Sequence, residues 1–322
     1  MNFHFSFLLT LSSISIATFA ATPATSDPRP MQPMDALQMR YVTNPAWSPD
    51  GKWMLYTLIT PDWKAGKTFS DIYLVSAETG KASTRQMTFT KDKNETGPLW
   101  SPDSKFFLFL SDRDSISGTS GAAASTAQQL YMMRPDGGEA RRITDAKDGV
   151  SAPTFSKDGK WLAFASGKED ARQIWVFQVA TIETDPAVQL TKHATPIDSW
   201  QFSPDSQRIY FTAPEEADTA NKERKQKNFD VRIRNEIRPR NHLWAFELAN
   251  KKETKLTSDA SYSVSGISIS SDSKWIGFHG APDNRYYRNI IDAHNYVDLY
   301  LLEVETNKIE RLTENYDIAE SK

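Results

Sequence analysis

The stretch that decides the fold is Ala46-Trp47-Ser48-Pro49-Asp50-Gly51-Lys52-Trp53-Met54-Leu55-Tyr56. Ser-Pro-Asp-Gly is typical of a tight turn, because proline fixes φ, aspartate bonds its own backbone and glycine accepts the exit geometry. Apolar residues on both sides predict a β-hairpin, with one strand ending at Trp47 and the next beginning at Trp53.

Related hairpins follow at four later serines, Ser101, Ser156, Ser203 and Ser270, so that successive copies are 47 to 67 residues apart. An apolar side chain lies six residues after each serine, and an aromatic one lies eight residues after it. The aromatic residues are Tyr56, Phe109, Phe164, Phe211 and Phe278. Because residues two apart share one face of a strand, every copy is expected to have the same buried face.

Two further strands are predicted after each hairpin. The third is marked by an apolar–aromatic–apolar triplet, centred on Tyr73, Tyr131, Trp175, Trp244 and Tyr300. The fourth leads to an apolar residue and a closing threonine, namely Thr88, Thr144, Thr191, Thr257 and Thr313. Four short strands per period indicate a blade, so the predicted fold is all-β, a β-propeller of four-stranded blades.

The repeat spacing also predicts a larger propeller, of which residues 42–322 form a partial domain with five blades. Each closing threonine is followed by the next hairpin serine after 12 or 13 residues, which places another serine at about position 325. The loops between second and third strands vary most in length. They are expected within 61–70, 112–128, 214–241 and 281–297, on one face of the propeller, where binding specificity is usually built.

The beginning of the chain predicts export. Residues 1–20 contain an apolar run from Phe5 to Ala20, typical of a signal peptide, and residues 21–41 are expected to be a leader with a short helix over 34–42. An exported protein without cysteine fits the bacterial periplasm, and we expect no membrane partner after signal cleavage.

Composition excludes several classes of function. A net charge of −3 over 322 residues gives no reason to expect a nucleic-acid partner. The sequence has no P-loop, dinucleotide fingerprint, calcium loop or zinc spacing, so no cofactor and no metal are predicted. It also has no Gly-x-Ser-x-Gly nucleophile elbow, so this chain by itself is not expected to hydrolyse peptides.

The segment 214–241 is the longest insertion, with eight Lys or Arg and six Asp or Glu residues. A charged, solvated hairpin is the first interpretation, and an arm that contacts substrate or another domain is the alternative. Arg232, Arg234, Arg238 and Arg240 would share one face of a strand, where they could bind carboxylates of another domain.

Together these motifs resemble the propeller of prolyl oligopeptidase family serine peptidases, in the acylaminoacyl-peptidase and dipeptidyl-peptidase branch. The resemblance rests on the hairpins, the leader and three further stretches: Arg134-Pro135-Asp136-Gly137-Gly138-Glu139-Ala140-Arg141-Arg142-Ile143-Thr144, Lys225-Gln226-Lys227-Asn228-Phe229-Asp230-Val231 and Asn241-His242-Leu243-Trp244. It implies a C-terminal α/β-hydrolase domain with a Ser-Asp-His triad as partner, and peptides as substrates. In dipeptidyl peptidases paired glutamates bind the substrate amino terminus, and Glu215 and Glu216 are the adjacent pair in this sequence.

The resulting interpretation is the substrate-gating propeller portion of an exported serine peptidase that hydrolyses short peptides by an acyl-enzyme mechanism. The alternative is a TolB-like periplasmic propeller that acts as a protein-binding scaffold, since TolB-type propellers share the Ser-Pro-Asp motif. A small-molecule hydrolase built in the propeller tunnel is a third hypothesis. Its weakness is that inward-pointing clusters of carboxylates or histidines are not evident in the sequence.

Overall fold

The strands predicted by the repeats form five four-stranded antiparallel sheets. The computed structural model of the chain describes residues 29–114, 127–229, 233, 238–258, 260–281 and 297–314. In every sheet each strand pairs with its neighbours in sequence, which is the topology of a propeller blade. The predicted all-β fold with four-stranded blades is therefore confirmed, whereas the predicted signal peptide over 1–20 lies outside the described residues.

The strand boundaries follow the sequence repeat closely. Blade 1 contains β1 (Tyr41–Trp47), β2 (Trp53–Asp62), β3 (Lys67–Ser76) and β4 (Gly80–Gln86). Blade 2 contains β5 (Glu95–Trp100), β6 (Phe107–Ser111), β7 (Gln129–Arg134) and β8 (Gly137–Arg142). Blade 3 contains β9 (Val150–Phe155), β10 (Trp161–Ser166), β11 (Gln173–Gln178) and β12 (Val188–Gln189). Blade 4 contains β13 (Ser199–Phe202), β14 (Arg208–Pro214), β15 (Asn241–Glu247) and β16 (Lys252–Lys255). Blade 5 contains β17 (Ser263–Ile269), β18 (Trp275–Ala281), β19 (Asp298–Glu303) and β20 (Lys308–Arg311).

The leader carries a short helix, α1 (Pro33–Gln38), which is shorter than the predicted 34–42. Asp35 fixes its first turn by accepting a hydrogen bond from the backbone N–H of Gln32 at 2.8 Å and by pairing with Arg29. Tyr41 and Val42 instead pair with β2, and this pairing ends the helical segment.

A pair of aromatic side chains spans the second and third strands of every blade. The residues of each pair are direct cross-strand partners: Tyr56 and Tyr73, Phe109 and Tyr131, Phe164 and Trp175, Phe211 and Trp244, Phe278 and Tyr300. Apolar side chains of neighbouring blades pack in four clusters, one at each junction between blades, and the aromatic pairs of blades 2 to 5 belong to these clusters. In blades 2 to 5 the eight-residue spacing in the sequence therefore marks a position at which blades pack.

Each Ser-x-Asp hairpin is closed by the same hydrogen bonds. The serine hydroxyl donates to the aspartate at 2.5–2.8 Å and accepts a backbone N–H five residues later. Lys157 and Ser271 occupy the proline position of blades 3 and 5, yet the same bonds form there. The serine and the aspartate, rather than the proline, therefore define the turn.

Neighbouring hairpin turns are also linked to one another. Backbone N–H groups of Asp50, Asp158 and Asp205 donate to serine hydroxyls of the next blade, which belong to Ser104, Ser206 and Ser273. These serines have φ of 59–61°. Between blades 2 and 3 the equivalent residue is Gly159, which has no hydroxyl, and a Cβ added there would lie 3.2 Å from Pro102.

The closing threonines tie the fourth strand to the third. Their hydroxyls accept the first backbone N–H of the third-strand triplet at 2.8–3.0 Å. In blades 1 to 4 these threonines are buried, so the bond satisfies a donor that water cannot reach. The residue before each triplet is always polar and contacts the same hydroxyl at 2.9–3.5 Å. These residues are Asp71, Gln129, Gln173, His242 and Asp298.

Alternation of strand direction divides the blades into two faces. The hairpin turns and the turns between third and fourth strands lie on one face, called here the turn face. The loops between second and third strands and the crossovers between blades lie on the other, called here the loop face. The segment before β1 and the segment after β20 both belong to the loop face.

Candidate functional site

The loop face carries the connections that differ most in length between blades. In blade 1 the connection is only the turn 63–66, because β2 and β3 extend into the loop predicted over 61–70. In blade 3 it is the short segment 167–172. The predicted loops 112–128 and 281–297 are described only at their ends. The insertion of blade 4, between Pro214 and Asn241, is the largest feature of the loop face that the structure describes in part.

The base of this insertion is held by a buried histidine. His242, at the start of β15, is 1% exposed, and its Nε2 lies 2.7 Å from Oε1 of Glu215. Its Nδ1 lies 2.8 Å from the carbonyl oxygen of Thr257. The backbone N–H of Glu215 donates to the carbonyl oxygen of Arg240 at 2.8 Å. These contacts join the two ends of the insertion to each other and to blade 4.

The charges at this base favour an ionised Glu215. Partial burial raises its pKa, but the hydrogen bond from His242 and the ammonium of Lys255, 3.5 Å away, lower it by more, so that the pKa is below its ordinary value. Lys255 also lies over the Trp244 ring, 5.9 Å from its centroid. The carboxylate of Glu215 is thus already bound by two groups of blade 4, the imidazole of His242 and the ammonium of Lys255.

Glu216, the second member of the adjacent pair, has a different partner. Its carboxylate accepts a hydrogen bond from Lys222 at 2.6 Å, and this bond lowers the pKa of Glu216. Lys222 lies on a helix, α2 (Thr219–Gln226), which begins after Asp218. Asp218 accepts the backbone N–H of Asn221 at 2.8 Å, as an N-cap residue does. The two glutamates therefore have separate partners.

The insertion differs from the charged hairpin predicted for it. Residues 219–226 are helical, because a capping aspartate is followed by Ala, Lys, Glu, Arg and Gln, which all favour helix. Arg238 and Arg240 belong to an irregular segment before β15, not to a strand with a shared arginine face. Arg232 and Arg234 lie outside the described residues.

A second polar cluster lies at the loop-face end of blade 2 and was not predicted. Glu95 is fully buried and accepts hydrogen bonds from Ser111 at 2.9 Å and from Arg113 at 3.2 Å. The guanidinium of Arg113 lies over the Phe109 and Tyr131 rings, at 5.3 and 4.7 Å from their centroids. Burial raises the pKa of Glu95, and Ser111 and Arg113 offset part of that increase.

The bonded histidines act as cross-links rather than as partners of a nucleophile. His193, in the crossover from blade 3, lies with Nδ1 2.9 Å from Oε2 of Glu253 on β16. Within the described ranges neither His193 nor His242 hydrogen-bonds a serine hydroxyl, and no group of three or more His, Asp or Glu side chains could hold a metal ion. Neither described helix has the length and apolar character needed to cross a bilayer.

Parts of the chain are similar to known peptidases. No protein-family model matches the chain. A segment of 120 residues, 37% of this chain, is 35% identical to the uncharacterised peptidase YuxL of Bacillus subtilis and covers 16% of that protein. A segment of 166 residues, 49% of this chain, is 26% identical to dipeptidyl-peptidase 5 of Porphyromonas endodontalis and covers 22% of it. The matches therefore span less than a quarter of the length of either relative.

A solved structure shares the fold. The β-propeller domain of the Trilobed protease from Pyrococcus furiosus superposes with a TM-score of 0.52 at 15% identity. The superposition covers 85% of this chain and 71% of that domain. The propeller fold described above is thus shared, at low sequence identity, with the propeller domain of that protease.

Proposed function

Since these matches confirm the resemblance to N-terminal propellers of prolyl oligopeptidase family peptidases, we propose that this chain is the substrate-gating propeller portion of an exported serine peptidase. The peptidase would hydrolyse short peptides by an acyl-enzyme mechanism. The nucleophile, base and acid of that mechanism would belong to a C-terminal α/β-hydrolase domain, the partner of the propeller in the same protein. The propeller would exclude folded proteins and place the peptide terminus.

The observation that carries this proposal is the position of the blade 4 insertion. It lies on the loop face, which also contains the segments before β1 and after β20. A domain joined to the propeller at either segment would therefore meet the face that bears the insertion. The turn face connections are all shorter than this insertion, the longest being 179–187 in blade 3.

The anchored base of the insertion supports a role in docking or substrate contact. Because Glu215 is bound by His242 and Lys255, we assign it to holding the insertion rather than to binding a peptide amino terminus. Glu216 and most described residues of α2 are exposed, and they could contact a substrate or the hydrolase domain. Arg232, Arg234, Arg238 and Arg240 remain proposed contacts for carboxylates of either partner.

The proposal is tested by replacing residues 217–238 with a short Gly-Ser linker in the whole protein. This change leaves Glu215 and His242 in place, so the urea midpoint of the propeller should be unchanged. We expect kcat/KM for dipeptidyl chromogenic substrates to change about tenfold or more, as loss of a positioning contact does. A matched control is Lys52→Ala on the turn face, which should leave kcat/KM unchanged.

An unchanged kcat/KM in the linker variant would show that the insertion is only solvated surface. A fluorophosphonate probe separates the peptidase from the TolB-like scaffold, because the probe labels an activated serine nucleophile. Absence of both labelling and peptide hydrolysis in the whole protein would favour the scaffold.

A further inference from the structure

A cavity of about 790 Å³ opens between blades 2 and 3. Phe164 and Trp175, the aromatic pair of blade 3, form part of its wall together with Ala146. The same pair exists in every blade, and each pair occupies the same strand register. The other blades therefore show which side chains normally contact the rings of such a pair.

In three of the other blades a planar side chain of the chain itself covers the aromatic pair. It approaches the ring of the third-strand aromatic residue to 4.7 Å in blade 2, 4.5 Å in blade 4 and 4.2 Å in blade 5. The three covering side chains are a guanidinium, an imidazole and a phenol, from Arg113, His193 and Tyr262 respectively. A planar group over the pair is thus the usual arrangement in this propeller.

Backbone hydrogen bonds identify the residue that takes the position of the His193 imidazole beside the blade 3 pair. The N–H of His193 donates to Oε1 of Gln173 at 2.9 Å, and its carbonyl accepts from Nε2 of Gln173 at 3.2 Å. The N–H of Ala146 donates to Oε1 of Gln129 at 3.0 Å, and its carbonyl accepts from Nε2 of Gln129 at 2.7 Å. Both residues also follow a closing threonine by two positions. Ala146 therefore places a methyl group beside the blade 3 pair, at the position where His193 places an imidazole beside the blade 4 pair. The cavity lies next to this methyl group.

The chemistry of the cavity wall favours a neutral ring. Ser166, Gln173 and Gln189 line it, but each already donates a hydrogen bond to a backbone carbonyl. Arg142 is paired with Asp145 and lies 3.5 Å from Asp114, so its charge is compensated. Lys147 and Asp148 also line the cavity, but both are exposed and their charges are opposite. The rest of the surface that can contact a ligand is mainly apolar and aromatic, and such surface binds an aromatic ring by stacking and edge contacts.

We propose that this cavity binds an aromatic side chain, that of Phe, Tyr or Trp, in a peptide that the propeller receives. The ring would contact Phe164 and Trp175 as the His193 imidazole contacts the corresponding pair in blade 4. The inference rests on the proposed function only in identifying the peptide as the substrate. It requires no catalytic step, and binding to the propeller can be measured in the absence of hydrolysis.

The test compares two N-acetylated tripeptide amides, Ala-Phe-Ala and Ala-Ala-Ala, by isothermal titration calorimetry with the full chain. We expect the Phe peptide to bind more tightly than the Ala peptide, and A146H, which fills the cavity, to weaken Phe peptide binding about tenfold or more. A146S is the matched control, because its small side chain leaves the cavity open and should retain the affinity. The reciprocal variant H193A opens the corresponding space in blade 4 and should add a second binding site.

Several results would overturn the proposal. Equal affinity for the two peptides, or equal affinity of wild type and A146H for the Phe peptide, would each do so. Binding by H193A but not by wild type would show that the blade 3 cavity is closed to peptides. If A146H loses its folded circular dichroism spectrum, A146M fills the same space with a flexible side chain, and undiminished binding by A146M would have the same meaning. None of these results depends on peptidase activity, which the linker variant tests separately.

Discussion

Replacing Thr191 by valine tests the contribution of the closing threonines to blade stability. Thr191 is fully buried. Its hydroxyl accepts the backbone N–H of Ile174 at 3.0 Å and donates to Oε1 of Gln173 at 2.9 Å. Valine has the same shape, so T191V keeps the packing and removes only the hydroxyl. The N–H of Ile174 is then left buried without this acceptor.

The size of the effect follows from that loss. A buried donor that loses its acceptor costs about 1–3 kcal/mol of folding free energy. At about 2–4 °C per kcal/mol for a domain of this size, a loss near 2 kcal/mol lowers Tm by about 4–8 °C. The internal control is T313V, because Thr313 makes the same bond to the N–H of Leu299 at 2.9 Å in an exposed position, where water replaces the hydroxyl. We expect T313V to cost less than about 0.5 kcal/mol.

The assay is urea unfolding followed by circular dichroism, with the free energy of unfolding obtained by linear extrapolation at unchanged m. The interpretation requires T191V to be less stable than T313V by about 1 kcal/mol or more. Equal stabilities of the two variants would refute it, since burial of the N–H group would then not decide the cost.

Two further predictions concern single positions. The pKa of Glu215 is lowered in the folded chain, so its ion pair stabilises the fold above the ordinary value of 4.5 and the contribution disappears as pH falls through the folded pKa. E215Q should therefore be less stable than wild type by less than about 1 kcal/mol at neutral pH, because Glu215 is partly exposed. This difference should decrease as pH falls below 4.5, and a difference that does not change with pH would contradict the assignment. G280A should lose about 1–3 kcal/mol, because the new Cβ would lie 2.5 Å from the Tyr300 ring, which stacks on other aromatic rings. G277A on the same strand is its control, since the nearest atom to its Cβ is 3.9 Å away, and equal urea midpoints for the two variants would count against the clash.

The blade pattern could be predicted from sequence because it rests on local, repeated chemistry. Trp47 and Trp53 bound the first hairpin as predicted, since a turn and its flanking apolar residues determine both strands. In blades 2 to 5 the aromatic residue eight positions after the hairpin serine packs at a junction between blades, since strand periodicity fixes its face. Because the pattern repeats, the strands could be predicted without knowledge of any contact between residues distant in sequence.

The site at blade 4 was harder to predict for two physical reasons. Helix α2 has no apolar stripe, so hydrophobic periodicity does not reveal it, although Asp218 was available as an N-cap signal. The contact between Glu215 and His242 joins residues 27 positions apart across an insertion, and spacing does not show such a contact. Comparing the five polar residues before the third-strand triplets would have singled out His242, because the others are Asp or Gln.

The missing hydroxyl at Gly159 has a mechanical consequence. A stack of repeats held by nearest-neighbour interfaces separates first at its least stabilised interface. Between blades 2 and 3 the turn face has a glycine where three other junctions have a linking serine, and the same junction contains the cavity of about 790 Å³. Under pulling force or on heating, we expect the described blades to part along this line, with blades 1 and 2 separating from blades 3 to 5.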